Sequence, residues 1–243
     1  MNHRHYLALA VPLIISTITT PLLGAVDTAV AGQLSSPAYI GGVAVGTMIF
    51  NTMYWLLGFL RVSTSGFAAQ SLGSQNRSES VLALARPVCI AVFAGLMFIL
   101  LQKPLEYAAL TLIQPDRHTA EFASQYFSLR IWGAPFALIS YCILGWLMGM
   151  SLIKVTLLLQ ISMNVLNIVL DIVFVYVFHM EVYGIALATL IAEVMGCLIG
   201  CWLVKSNAAM RFKLPSVKVL FDPKPFKKMM VVNRDLLLSL IHI

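Results

Sequence analysis

Asn164, Asn167 and Asp171 recur at i, i+3 and i+7, the spacing that sets side chains on one face of a helix. The stretch that carries them, NVLNIVLDIVFVYVF, is otherwise apolar. Two further acids interrupt apolar runs: Asp27 in LGAVDTAVAG and Glu193 in LATLIAEVMG. A charged group at the centre of a bilayer costs at least about 2.5–3.5 kcal/mol, so structure alone would select apolar residues there. A cluster of carboxyl, amide and hydroxyl oxygens suits two kinds of cation. A hard ion such as Na+ takes oxygen ligands, and two neighbouring carboxyl groups share a proton.

The elements that must position these groups follow from composition. The chain has 243 residues, 60% hydrophobic and 11% charged, with a mean hydropathy of +0.88. Soluble domains are closer to 25% charged. The composition excludes an ordinary soluble enzyme and a disordered chain, and it predicts an all-α polytopic membrane protein. Six apolar runs are long enough to span a bilayer: residues 6–32, 41–68, 81–101, 122–148, 155–178 and 184–204. Residues 1–204 thus form a six-helix unit, 205–230 a basic linker and 231–243 the opening of another apolar segment. The start MNHRHYLALAVP lacks a small-x-small cleavage signal and reads as the beginning of an uncleaved first helix.

Basic residues set the expected orientation. Arg4, Arg77, Arg86, Lys154, Lys205, Arg211, Lys213, Lys218, Lys224, Lys227 and Lys228 fall on one side, and Lys103 and Arg117 on the other. Eleven against two places the N-terminus and the linker in the cytoplasm. The formal charge of +6 therefore marks a lipid bilayer as partner, and no aromatic interleaving supports nucleic acid. Cys89, Cys142, Cys197 and Cys201 all lie in apolar runs and read as packing residues.

Depth arithmetic groups three polar residues. Asp27 lies far along a helix that rises from the cytoplasm. Asp171 lies 16 residues past Val155, about 24 Å along its helix. Thr189 lies five residues into a helix that descends from outside, about 8 Å below that surface. All three fall in the outer part of the membrane. Asp27, Asn167, Asp171 and Thr189 become the candidate site for Na+ or a proton, and Asn164 and Glu193 a further polar cluster. Arg61 and Arg130, also within helices, are candidates for ion pairs or for snorkelling to the interface. Pro12, Pro21 and Pro135 permit kinks, and Gly24, Gly32, Gly41, Gly42 and Gly46 permit close helix approach.

Longer stretches carry a family resemblance. PLIISTITTPLLGAVDTAVAGQL resembles the first helix of the multidrug and toxic compound extrusion (MATE) family. GFAAQSLGSQN, with Gln70 and Gly73, is similar to the family's pattern after helix two. RIWGAP, NVLNIVLDIVFVYVF and GIALATLIAEV are similar to its helices four, five and six. GFLRVSTSG and NRDLLL are closest to its DinF subfamily. The resemblance implies twelve helices in two six-helix lobes, of which this chain is the N-lobe. It implies a secondary active antiporter that exports small organic substrates, cationic or amphiphilic, in exchange for H+ or Na+, in a bacterial inner membrane. It assigns coupling to Asp27 and a cation or proton site to Asn167, Asp171 and Thr189, with no cofactor besides the coupling ion.

The sequence stops where the family's seventh helix would begin, so the C-terminal lobe is missing and the chain is expected not to transport alone. A lipid-linked-substrate flippase of the same architecture is the alternative. A membrane-embedded enzyme is disfavoured, because no HExxH, GxSxG or paired-aspartate protease motif is present.

Overall fold

The computed structural model describes residues 24–34, 36–207 and 217–241. Every regular element among them is helical. Residues 24–31 form α1. It is followed by α2 (Pro37–Leu56), α3 (Phe59–Gly73), α4 (Arg77–Leu100), α5 (Gln102–Ile113), α6 (Arg117–Arg130) and α7 (Ala134–Gly149). Then come α8 (Ile153–Ile172), α9 (Glu181–Ser206), α10 (Val217–Leu220) and α11 (Pro223–Ile241). A 3-10 turn, Ile131–Gly133, joins α6 to α7, and a π turn, Val173–Val177, extends α8.

Five described segments are long and apolar enough to cross a membrane: Pro37–Gly73, Arg77–Leu100, Arg117–Gly149, Ile153–Val177 and Glu181–Ser206. Large apolar side chains such as Phe93, Leu158 and Trp202 stand exposed on them, as on helices that face lipid tails. The expected first helix is described only from residue 24, so Pro12 and Pro21 lie outside the described residues. So does much of the basic linker, residues 208–216.

The helix boundaries differ from expectation in four places. The second span breaks at residues 57–58 into α2 and α3. The fourth starts at Arg117, because the Asp116 side chain caps it by accepting from the amides of His118 (3.0 Å) and Thr119 (3.1 Å). The region before it, left outside the expected spans, carries the three-turn helix α5. It ends at Gln114 in the left-handed conformation, φ 51°. Finally, α11 begins at Pro223, so the boundary expected at 231 falls within a helix that opens, as helices do, on a proline.

Backbone contacts divide the chain into two units. The first takes in the described residues of Met1–Thr52, Leu96–Ala134 and Leu157–Gly196. Its α2 and α6 lie nearly in backbone contact. A Cβ on Gly41 would meet the Thr119 hydroxyl at 2.8 Å, and Cβ atoms on Gly42 and Gly46 would overlap Phe122 and Tyr126. The small-residue face allows the close approach that packs membrane helices. It brings Phe50 to 5.2 Å from Phe127, stacked ring on ring. A Cβ on Gly24 would make only an ordinary contact, 3.7 Å from Thr47.

The second unit takes in the described residues of Met53–Gly95, Pro135–Thr156 and Cys197–Ile243. Here α7 presses against α3, since Cβ atoms on Gly145 and Gly149 would overlap the carbonyl oxygens of Arg61 and Ser65. Gly95 admits Pro135, whose Cα lies 2.5 Å from where a Cβ would stand. Pro135 sits in the first turn of α7, after the 3-10 turn, where its missing N–H costs nothing. Pro87, inside α4, was not anticipated as a helix interruption. The buried Trp146 donates from Nε1 to the Ser80 carbonyl at 2.9 Å. Arg86, counted among the cytoplasmic-side charges, is a buried residue of α4. Its Nε and Nη2 donate to the carbonyls of Leu220 (3.2 Å) and Val219 (3.4 Å), tying down α10. Met229 and Asn233 form the buried face of α11, which packs on α3.

Candidate functional site

The first unit gathers four polar residues from three helices. Asp27 (α1), Asn167 and Asp171 (α8) and Thr189 (α9) are 2%, 1%, 0% and 2% exposed, so each needs an internal partner. The carboxyl groups of Asp27 and Asp171 approach the same side-chain amide, that of Asn167.

Asn167 stands between them. In one orientation of its amide, Nδ2 donates to Asp27 Oδ1 at 3.2 Å and to Asp171 Oδ2 at 3.3 Å. Its Oδ1 then accepts from the hydroxyl and the main-chain N–H of Thr189, each at 3.2 Å. This orientation gives both acids a donor and Thr189 an acceptor.

The local sequence explains the placement. Asn167 and Asp171 are one turn apart on α8, and the π turn begins two residues beyond Asp171. π turns recur at functional sites because they re-aim side chains within a helix. Asn164, half-buried, lies one turn earlier on the same helix.

Glu193 does not join the Asp27–Asp171 cluster directly. It pairs with Arg130, whose Nη2 lies 3.6 Å from Glu193 Oε1. Arg130 also donates from Nη1 to the Tyr126 hydroxyl at 2.8 Å. Its guanidinium carbon lies 4.6 Å from the Phe50 ring centroid and 5.5 Å from that of Tyr126, within cation–π range. Thr47 donates to the same Tyr126 hydroxyl at 3.3 Å. Arg130 is thus a buried cation held by an ion pair, a hydrogen bond and two aromatic rings, and it does not snorkel.

Arg61 belongs to the second unit and has no carboxylate partner among the described residues. Its Nη2 donates to Met148 Sδ at 3.5 Å. Among the described residues no group of three or more His, Cys, Asp or Glu stands together. Tyr126, Phe50 and Gly133 were missed in the sequence. The i, i+4 step from Tyr126 to Arg130 was the available signal, since it puts both on one face of α6.

These features define an all-helical membrane protein built around a buried acid pair. Residues 12–173 match the MatE family model, and the chain belongs to that family. It is 39% identical over 230 residues to DNA damage-inducible protein F of Escherichia coli (strain K12), covering 95% of this chain and 50% of that protein. It is 24% identical to the probable multidrug resistance protein NorM of Bacillus subtilis (strain 168), covering 84% of this chain and 46% of that one. A solved structure of MATE in the bent conformation superposes with a TM-score of 0.84 at 21% identity, covering 97% of this chain and 52% of its own. The chain spans about half the length of the curated relatives it matches. The family's members are transporters rather than enzymes, and this chain is a multi-pass membrane protein.

Proposed function

We propose that this chain is the N-terminal, cation-coupled lobe of a secondary active exporter of small organic compounds. Asp27, Asn167, Asp171 and Thr189 hold the coupling ion, H+ or Na+. One observation carries this reading: two acids from separate helices face one side-chain amide, in a bundle that exposes apolar side chains. Loading a cation lets the acids share it, and losing it sets two negative charges against each other. A change of that size, several kcal/mol at low dielectric, is enough to bias a helix packing with two alternatives.

The substrate is a small organic molecule, as the multidrug names of relatives support, and its cationic or amphiphilic character is what the family resemblance implies. The membrane is a bacterial inner membrane with the N-terminus and the basic linker on the cytoplasmic side, as the distribution of basic residues supports. Alternating access takes two bundles moving around a site, so a C-terminal lobe completes the transporter and this chain alone does not transport. The flippase alternative would draw on a cationic surface. Arg130 is occupied by Glu193 and Tyr126, and Arg61 donates to Met148, which leaves that alternative without a supporting feature.

The test is ion binding by the purified chain, followed by calorimetric titration with Na+ and by proton uptake. The wild type is expected to take up one of the two ions, and Asp27→Asn and Asp171→Asn to lose that uptake while remaining helical. Unchanged uptake in both variants would remove these residues from the coupling site.

A further inference from the structure

Arg130 is the one cation that the described residues of the first unit bury beside these acids, and the coupling site does not use it. The charged and titratable groups around it are Asp27 on α1, Asp171 on α8, Glu193 on α9, and Tyr126 with Arg130 itself on α6. From α2 it meets the uncharged Phe50. Arg130 lies close enough to Asp27, Asp171 and Glu193 to act on all three through space, and it makes an ion-pair contact with Glu193. Residue 133 makes that contact geometrically feasible. A Cβ on Gly133 would overlap Glu193 Oε2, so a larger residue there would move the carboxylate from its place beside the 3-10 turn.

We propose that Arg130 is a built-in competitor of the coupling cation, and that Glu193, given room by Gly133, sets the strength of that competition. The inference rests on Asp27 and Asp171 being the coupling site. A guanidinium stays charged at every physiological pH, and in a low-dielectric interior its field reaches past its contacts. At the acid pair that field opposes any arriving cation. Paired with Glu193, Arg130 presents a dipole in place of a full charge, and the opposition is mild. Without Glu193 the full positive charge acts on Asp27 and Asp171. Glu193 and Gly133 are positioning residues in this scheme. Neither touches the ion, and each tunes its affinity through Arg130.

The scheme predicts effects of opposite sign. Arg130→Gln removes the competitor and tightens cation binding. Glu193→Gln frees the competitor and weakens binding. Gly133→Ala displaces the Glu193 carboxylate and also weakens binding, although it alters no charge. Arg130→Gln combined with Glu193→Gln restores binding toward wild type. Each single effect is expected to be about tenfold in half-saturating ion concentration, the size of one charge acting over several ångströms inside a protein.

The experiment uses the full chain purified in lipid nanodiscs. Difference infrared spectra follow the protonated-carboxyl band of the Asp27–Asp171 pair, assigned by its loss in Asp27→Asn. The band is titrated with H+ in sodium-free buffer and with Na+ at fixed alkaline pH. The expected result is tighter binding in Arg130→Gln, weaker binding in Glu193→Gln and Gly133→Ala, and a double variant near wild type. Shifts of one sign in all variants, or none beyond twofold, would overturn the proposal. Should Arg130→Gln fail to fold, Glu193→Gln and Gly133→Ala carry the test, since both must weaken binding by a similar factor. A wild-type chain with no titrating band from Asp27 and Asp171 would overturn the coupling-site reading itself. The competitor would fall with it, having nothing to oppose, and the two failures are thereby distinguished.

Discussion

Asp27 on α1 and Asp171 on α8 face one amide: Asn167 Nδ2 lies 3.2 Å from Asp27 Oδ1 and 3.3 Å from Asp171 Oδ2. Both acids are buried, so a cation held between them would act on the packing of two helices. A link of that kind from ion to packing is what the proposed coupling requires.

The contact between α2 and α6 should tolerate no added methyl group. A Cβ on Gly42 would overlap Phe122, with backbone atoms of residues 122 and 123 at 3.0 and 3.1 Å. Gly42→Ala is expected to destabilise the chain by about 1–3 kcal/mol, the usual cost of overpacking. Gly73→Ala, where nothing lies within 4 Å of the added carbon, should be close to neutral. Thermal unfolding in one detergent compares them, and equal midpoints for the two variants would contradict the packing described.

Arg86 holds α10 by two main-chain carbonyls, with Glu79 as its ion-pair partner at 3.7 Å. Arg86→Ala should raise amide exchange across residues 217–236 by tenfold or more. Arg86→Lys should not rescue it, because a lysine lacks the planar fork that spans two acceptors. Exchange mass spectrometry provides the measurement. Unchanged protection in the alanine variant would show that α11 is held by its packing on α3 alone.

Trp146 is fully buried and gives its indole N–H to the Ser80 carbonyl. Trp146→Phe keeps an aromatic ring but leaves that carbonyl without its donor. The expected loss is about 1–3 kcal/mol, the cost of an unsatisfied buried polar group. A variant as stable as wild type would mean the bond is worth nothing net.

Asp116 supplies the pH dependence outside the membrane spans. The side chain and amide of Thr119 hold its carboxyl below the usual aspartate range, with the amide of His118 adding to the effect. A lowered value in the folded state means that the cap's contribution is fully present above the unfolded value, about 3.9. It is lost as the pH falls through the lowered one. Opening of the first turn of α6, read by exchange at His118 and Thr119, should therefore increase only in acid. Asp116→Asn, which caps without titrating, should abolish that increase. An acid-induced opening of the same size in the variant would place its origin elsewhere.

Much of the architecture was legible because lipid demands long apolar runs, and α4, α8 and α9 fall where hydropathy put them. The break at residues 57–58 was not legible, since Leu57 and Gly58 leave the apolar run intact. The Asp116 cap was legible in principle, as an acid just before a helix, but the mixed stretch around it obscured it. Asp27, Asn167, Asp171 and Thr189 could be singled out because a polar residue in an apolar run is conspicuous. Their bonding pattern could not, because it depends on how three helices approach. Gly133 was invisible for the same reason. Its importance lies in the carboxylate it admits, sixty positions along the chain.

The central claim, that Asp27 couples an ion gradient to export, is tested most directly by efflux from proteoliposomes. This chain, fused to the remaining half of the Escherichia coli relative, would be assayed with a fluorescent organic cation under an imposed H+ or Na+ gradient. Gradient-dependent efflux is expected from the fusion, none from the chain alone, and none from the fusion carrying Asp27→Asn, although that variant is inserted and folded. Gradient-driven efflux at the wild-type rate in Asp27→Asn would contradict the claim.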